Sequence, residues 1–403
     1  MTLEIKDLKD SNDFLNLLLD NMDTAVLIAD ENLKIHEFNE SFLSLFDRSY
    51  DSVVDITFGP ASGCVNAVKE NKTCGETSAC GHCVLRSSLL ETFLEDVPTY
   101  RKRLDRIFYI DGVPVQKYLE FTARPISFQS HKMILVIIYD ITEIVQSKIE
   151  LQQKQAQIDL DLDAAGQIQK SLLPQKVPDI KSIQMNWRFE PCQQVGGDIF
   201  HLYEQDQSHI SAYMLDVCGH GVSAALIAVT AKQFLDNLHG QALEIGYPLQ
   251  PADILNKLEE EFPFDRFDCY FTIVYVLLNT KNGEFTYGCA GHVPPLIMGK
   301  NNKLEALNHH GPVIGFGHEL PFSQANTQLK PGERIVLYTD GLIDNFGPKG
   351  DYNGKENFYK SLSRLSDQPV GQIVNGVMVE SKKMRAGKRP DDDMSLLLIE
   401  YTG

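Results

Sequence analysis

Two groups of residues in this 403-residue chain carry chemistry by their type and spacing. The first is acidic: Asp198 in VGGDIF, Asp216 in LDVCGHG, Asp340 in YTDGLID, and Asp391, Asp392 and Asp393 in RPDDDMSLLL. Each sits where an apolar, strand-like run starts or stops, so residues far apart in the chain could converge at strand ends. Carboxylates gathered in one cleft repel each other unless a cation neutralises them, and hard ions such as Mg²⁺ and Mn²⁺ prefer oxygen ligands. Two such ions side by side would bind phosphate oxygens and generate a hydroxide nucleophile near neutral pH. An aspartate before glycine is also a common turn residue, so the set, not any single member, points to a metal.

The second group is sulfur. Four of the eight cysteines, Cys64, Cys74, Cys80 and Cys83, form a C-x9-C-x5-C-x2-C array with His82 inside its last pair. In a reducing compartment such crowding suggests a soft-metal site, either an iron-sulfur cluster or Zn²⁺, with free or disulfide-forming thiols as the alternative. Only one C-x2-C pair is present, which departs from two-knuckle zinc spacing. Cys192, Cys218, Cys269 and Cys289 are isolated in strand-like contexts and read as core residues.

The elements that must position these groups fall into three stretches. Residues 12–142 open with a helix over Ser11 to Met22, capped by Ser11 and spaced by Phe14, Leu15, Leu18, Leu19 and Met22. Strands follow at 24–30 and 32–39, then a helix at Glu40 to Phe46, then strands at 103–110, 113–122 and 132–139, with Asp111-Gly112 as a hairpin turn. Residues 143–172 continue as a helix, in which Ile144, Leu151, Ile158, Ala165 and Leu172 recur every seven positions. That is a weak coiled-coil seam, because Lys148, Gln155 and Gln169 share it; a solvated connector helix is the alternative. Residues 173–403 alternate strands (183–190, 210–217, 269–279, 284–290, 334–339, 394–401) with helices at 222–238 and 251–261, an α+β pattern large enough for an enzyme core.

Lys plus Arg number 37 against 55 Asp plus Glu, a net charge of −18, which argues against duplex DNA or an anionic membrane as main partner. Apolar runs such as Met133 to Tyr139 fall far short of the roughly 20 residues that span a bilayer. The opening MTLEIKDLKD has no signal-peptide pattern. The expectation is a cytoplasmic protein with reduced cysteines.

The phrases LLDNMDTAVLIADENLKIHEFNESF and VIIYDITE resemble the PAS family of sensory domains; a small α+β domain used only for dimerisation is the alternative. AAGQIQKSLLPQ, VGGDIF, LDVCGHGVSAAL, CAGHVPPL, GERIVLYTDGLID and DDDMSLLLIE, in that order over 164–401, resemble the SpoIIE-like branch of the metal-dependent protein phosphatase superfamily. Together the two look like the RsbU and RsbP type of stress-response, partner-switching phosphatase. The resemblance implies an α+β fold: an N-terminal PAS domain with a five-stranded antiparallel sheet, a helical linker, and a C-terminal αββα sandwich. It further implies a binuclear Mn²⁺ or Mg²⁺ site in which Asp216 bridges both ions. Asp198, Asp340, Asp392 and the Val217 carbonyl would complete it directly or through water. Asp392 is chosen because DDMS aligns best with the family's terminal motif, with Asp391 as the competing choice.

The implied reaction is hydrolysis of a phosphoserine or phosphothreonine monoester by metal-activated water, without a phosphoenzyme. His220 is a candidate for protonating the leaving oxygen or, alternatively, a plain turn residue. The implied partner is a phosphorylated STAS-domain anti-sigma-factor antagonist or similar regulatory protein. A homodimer through the linker and PAS domain is expected, with no nucleic acid and no membrane. Competing readings are a scaffold that binds such a partner without turnover, and a small-molecule phosphomonoesterase. Two departures stand out: His201 occupies the place where the family often has a second acid after GGD, and Cys218 the place of a small residue. The AAGQIQKSLLPQ helix falls at the sensor–phosphatase junction, as a switch or as a cap on the core. The stretch GCVNAVKENKTCGETSACGHCVLR resembles a cysteine-rich insertion of some bacterial PAS domains, associated with a redox metal centre.

Overall fold

The computed structural model describes residues 17–19, 21–128, 131–175, 180–299, 303–347 and 353–403. The chain divides into two compact units, Met1–Ala156 and Gln157–Gly403. Of the expected first helix, Ser11 to Asn16 and Asp20 lie outside the described residues, while residues 17–19 are helical.

The first unit contains β1 (Ala25–Ala29), β2 (Lys34–Phe38), α1 (Glu40–Phe46), β3 (Ile56–Thr57), α2 (Phe58–Ser62), α3 (Val65–Glu70), α4 (Val84–Glu95), β4 (Thr99–Ile110), β5 (Val113–Phe128) and β6 (His131–Asp140). Its sheet runs β3-β2-β1-β6-β5-β4 with every pairing antiparallel. The five expected strands are joined by a sixth at the edge, β3, whose two residues are too few to leave a periodic trace. Between β4 and β5, Asp111 and Gly112 both take positive φ, as the tight hairpin turn requires. Asn39 caps α1 by accepting from Phe42 N, accepts from Val26 N as well, and so ties the helix to β1. In the core Phe58 meets Phe42, Phe46 and Phe108 edge to face, while Phe46 packs tilted against Phe42 and Phe108.

The unit boundary falls within α5 (Thr142–Leu172). Ile144, Leu151 and Ile158 are exposed on it, whereas Gly166 and Gln169 are buried.

The second unit comprises β7 (Ile183–Glu190), β8 (Ile199–Glu204), β9 (His209–Val217), α6 (Val222–Ile245), α7 (Pro251–Glu261), α8 (Phe264–Phe267), β10 (Phe271–Asn279), β11 (Glu284–Ala290), β12 (Leu296–Met298), β13 (Leu304–Ala306), β14 (Ala325–Gln328), β15 (Arg334–Tyr338), α9 (Asp340–Asp344), α10 (Gly354–Leu365), α11 (Val370–Met384) and β16 (Met394–Tyr401). Two five-stranded antiparallel sheets, β14-β11-β10-β9-β8 and β13-β12-β15-β16-β7, form its centre. Strand alternation decides what each residue covers. Ile335, Leu337, Leu397 and Ile399 join one core with β9, β10, α6 and α7. Their neighbours Val336, Tyr338, Leu396 and Leu398 join the other core, with Phe358 of α10 and Ile373 and Val377 of α11. The result is a helix–sheet–sheet–helix sandwich. Among the described residues no helix is long and apolar enough to cross a membrane.

Candidate metal centre

In the β8–β9 pair Ile199 stands opposite Leu215, which sets Asp198, one residue before β8, beside Asp216 near the end of β9. In the other sheet Tyr338 stands opposite Leu396, so Thr339 and Ser395 are neighbours one step along. Both hydroxyls donate to Asp198 Oδ2, from Thr339 Oγ1 at 2.8 Å and Ser395 Oγ at 2.7 Å. One buried carboxylate thereby links the two sheets. Its other oxygen, Oδ1, is buried with no hydrogen-bond donor. Asp216 lies within hydrogen-bonding reach of Asp198, but two ionised carboxylates have no proton to share.

Burial, then the charges of Asp216 and Asp393, hold the Asp198 carboxyl well above the usual carboxylate range. Burial pushes Asp216 up to about 8, with Asp340, Asp392 and Asp393 adding to it. Asp392 is raised by burial, with Asp340, Asp393 and Asp344 contributing. An exposed Asp340 opens α9, and Asp344 at the far end of that helix is raised by burial and by Asp340. Asp216 therefore has Asp198, Asp340 and Asp392 as acidic neighbours, at the strand ends where the motifs pointed. An all-carboxylate set of this kind, with one oxygen buried and unpaired, fits hard divalent cations.

Asp393 faces inward and serves the loop before β8. Its Oδ1 accepts from Cys192 N at 2.8 Å and its Oδ2 from Gly197 N at 2.5 Å. A Cβ on Gly196 would stand 2.5 Å from that Oδ2, so only glycine lets the loop close on the carboxylate. The same loop is gripped from α5. Gln169 Nε2 donates to Gly196 O at 2.6 Å and Gln169 Oε1 accepts from Gly196 N at 3.0 Å.

Residues 206–402 match the family described as Stage II sporulation protein E (SpoIIE), and residues 13–78 match the PAS domain family. The chain therefore carries a SpoIIE-like segment in its second unit and a PAS-like segment in its first. The phosphoserine phosphatase RsbU of Bacillus subtilis (strain 168) is 28% identical over 218 residues, covering 54% of this chain and 63% of RsbU. The phosphoserine phosphatase RsbP of the same organism is 22% identical over 245 residues, covering 60% and 57%. Protein IcfG of Synechocystis sp. is 24% identical over 226 residues, covering 51% and 36%. The matches thus span less than two thirds of each of these relatives. Among solved structures, the SiaA-PP2C domain of Pseudomonas aeruginosa superposes with a TM-score of 0.53 at 21% identity, covering 62% of this chain and 98% of that domain. That likeness establishes a PP2C-like fold for the second unit.

Asp198 and its GGD loop precede the matched SpoIIE segment, so their place beside the other acids rests on the geometry above. Val217 ends β9, directly after Asp216. His220 is exposed in the following loop, its Nδ1 3.1 Å from Gln193 Nε2. Asp391 is exposed, unlike Asp392 and Asp393. His201 does not replace an acid at the centre. Its charged neighbours are Lys232 and Asp236 of α6, and burial pushes it down to about 4. Cys218 is exposed rather than buried. Cys192 is half-buried against Asp392 and Asp393, and burial followed by Asp393 pushes its thiol up to about 12.

Thr339, Ser395 and Gln169 escape a motif reading centred on ligands, and Asp393, named among the acids, holds the glycine loop. Thr339 and Ser395 each sit within three residues of a candidate ligand in the motifs themselves, which is the signal that could have found them.

Proposed function

We propose that this chain is a metal-dependent protein-serine/threonine phosphatase acting in the cytoplasm on a phosphorylated STAS-type regulatory protein. The carrying observation is Asp198, a buried carboxylate with one unpaired oxygen beside acids whose ionisation burial and mutual repulsion disfavour. Such a cluster is unfavourable unless cations fill it. Asp216, Asp198, Asp340, Asp392 and the Val217 carbonyl would hold two Mn²⁺ or Mg²⁺. When bound, these ions supply charge neutralisation, phosphate binding and activation of water. Thr339 and Ser395 fix Asp198 by Oδ2 and leave Oδ1 available; Asp393 and Gln169 hold the glycine loop in place. His220 is the candidate proton donor to the leaving oxygen, exposed one short turn from Asp216. The phosphoserine phosphatases among the relatives support the choice of phosphoester.

Phosphate release from a phosphorylated STAS-type protein, with and without Mn²⁺, tests the reading. Partner binding without release by the metal-loaded protein would instead favour the scaffold.

In this proposal residues 12–142 sense, 143–172 relay and 173–403 catalyse. Gln169 is the relay's contact with the centre, because it satisfies both backbone groups of Gly196. Its replacement leaves two buried groups unpaired, each costing about 1–3 kcal/mol if nothing moves. Gln169→Ala is expected to raise the Mn²⁺ concentration for half-maximal activity about tenfold. An unchanged metal titration would remove α5 from the switch.

The exposed Ile144, Leu151 and Ile158 are proposed to meet the same residues of a second copy in a parallel coiled coil. Leu151→Asp together with Ile158→Asp is expected to halve the mass seen by analytical ultracentrifugation. A wild-type monomer at micromolar concentration would refute the dimer.

A further inference from the structure

The four clustered cysteines of the PAS unit line a single pocket. They reach it from different elements. Cys64 caps α3 and is bridged to Phe108 of β4, Cys74 lies in the loop after α3, Cys80 opens a short 3-10 turn, and Cys83 caps α4. None is in a disulfide; Cys64 and Cys83 are buried, Cys74 and Cys80 half-buried. The rest of the wall is mostly apolar, with Phe58, Leu89, Leu104 and Phe108, and its polar members are Asn66 and two guanidinium groups. Arg106 of β4 donates to Cys64 Sγ at 3.6 Å, and Arg86 of α4 donates to Cys74 O at 3.1 Å.

The loop is shaped around the sulfurs. Cys80 Sγ accepts from Gly75 N at 3.1 Å and lies 2.9 Å from Thr77 Oγ1. Gly75 has φ +112, and a Cβ there would stand 2.6 Å from the Arg86 guanidinium carbon. Only glycine allows that arginine to close over the loop. His82, which a mixed Cys/His zinc site would use, is exposed and does not line the pocket.

Four thiols, a backbone N–H on Cys80 Sγ and two cations converging on a mostly apolar pocket are the donor set of an anionic, thiolate-ligated centre. Sulfur spacing separates the two metals that would suit it. Tetrahedral zinc with Zn–S bonds of about 2.3 Å holds its sulfurs roughly 3.8 Å apart. Among the described residues, the only three metal-binding side chains mutually within 4.8 Å are Cys192, Asp392 and Asp393. No three of the pocket's sulfurs are therefore that close, as suits a polynuclear cluster whose corners each take a different thiolate.

We propose that Cys64, Cys74, Cys80 and Cys83 ligate an iron–sulfur cluster, with Arg106 and Arg86 compensating its negative charge. Each thiol gives its proton to solvent as its iron–sulfur bond forms. The inference is independent of the phosphatase reading and survives its failure.

The test uses the full chain, purified anaerobically and reconstituted with ferrous iron and sulfide, assayed for iron, acid-labile sulfide and zinc per chain. About four irons and four sulfides per chain are expected. Cys80→Ser and Cys83→Ser should each lose most of both, while His82→Ala retains them. Arg106→Gln should keep the iron but lower the midpoint potential, since the cation and its hydrogen bond favour the more negative, reduced cluster. One zinc per chain without sulfide would overturn the proposal, and so would a wild-type chain that takes up neither metal. The wild-type stoichiometry decides the matter even if a serine variant fails to fold.

Discussion

Asp216→Asn is expected to reduce Mn²⁺-dependent phosphate release by about three orders of magnitude while making the metal-free protein more stable than wild type at pH 8. The loss follows from removing the acid proposed to bridge both cations. The gain follows from proton linkage. Pushed up to about 8 from the ordinary carboxylate value of 3.8, Asp216 keeps in the folded state a proton that the unfolded chain has already released. Its contribution is fully present below pH 3.8 and is lost as pH rises through about 8, at up to about 1.4 kcal/mol per pH unit. Asp198 acts in the same direction. Metal-free wild type should therefore melt at progressively lower temperature between pH 5 and 8, and Mn²⁺ should restore most stability at the alkaline end. Asparagine carries no charge to desolvate, so the variant's profile should be flatter. Melting curves in chelator across that range, beside the phosphate assay, check both halves. A variant that melts below wild type at pH 8 would show that the carboxylate is a structural support and not a strained ligand.

How much of this centre is legible in the chain depends on which physical signal marks each residue. β10 and β16 are long apolar runs between polar turns, so the strands that carry or face the acids are plain. β12, β13 and β14 have three or four residues each, below the span at which alternation registers. The helical spacing of Val370, Ile373, Val374 and Val377 in α11 is visible in the sequence, although attention to acidic strand ends passes over it. His201 shows where alignment by motif misleads. It lies three residues beyond Asp198, and on a strand an odd offset reverses the face, so its side chain meets α6 and not the acids. The Thr339–Asp198–Ser395 link needs the register of two strands in one sheet against a loop entering the other. No periodicity within a single segment encodes that relation. The cysteine array is the opposite case: spacing alone announces it, but which elements aim the sulfurs inward requires the fold.

The triple aspartate of RPDDDMS offers the sharpest separation of ligand from scaffold, because three adjacent carboxylates differ in depth. Asp393→Ala is expected to lower stability by about 2–6 kcal/mol and to abolish activity, since Cys192 N–H and Gly197 N–H lose their acceptor at once. Part of that cost is offset in the metal-free protein, where removing the charge relieves Asp198 and Asp216. Asp392→Asn should behave in the reverse way. Asp392 is half-buried, and its Oδ1 accepts from Asp393 N at 2.8 Å, a bond that the asparagine carbonyl can keep. Its melting temperature in chelator should match or exceed wild type, while activity falls about a hundredfold and the Mn²⁺ requirement rises. Asp391→Asn, at an exposed position, should change neither quantity appreciably. Measured together, phosphate release and chelator-phase melting place each carboxylate by two independent readouts. Should Asp391→Asn abolish activity at unchanged stability while Asp392→Asn leaves it intact, the metal-binding acid would have to be moved one residue toward Pro390.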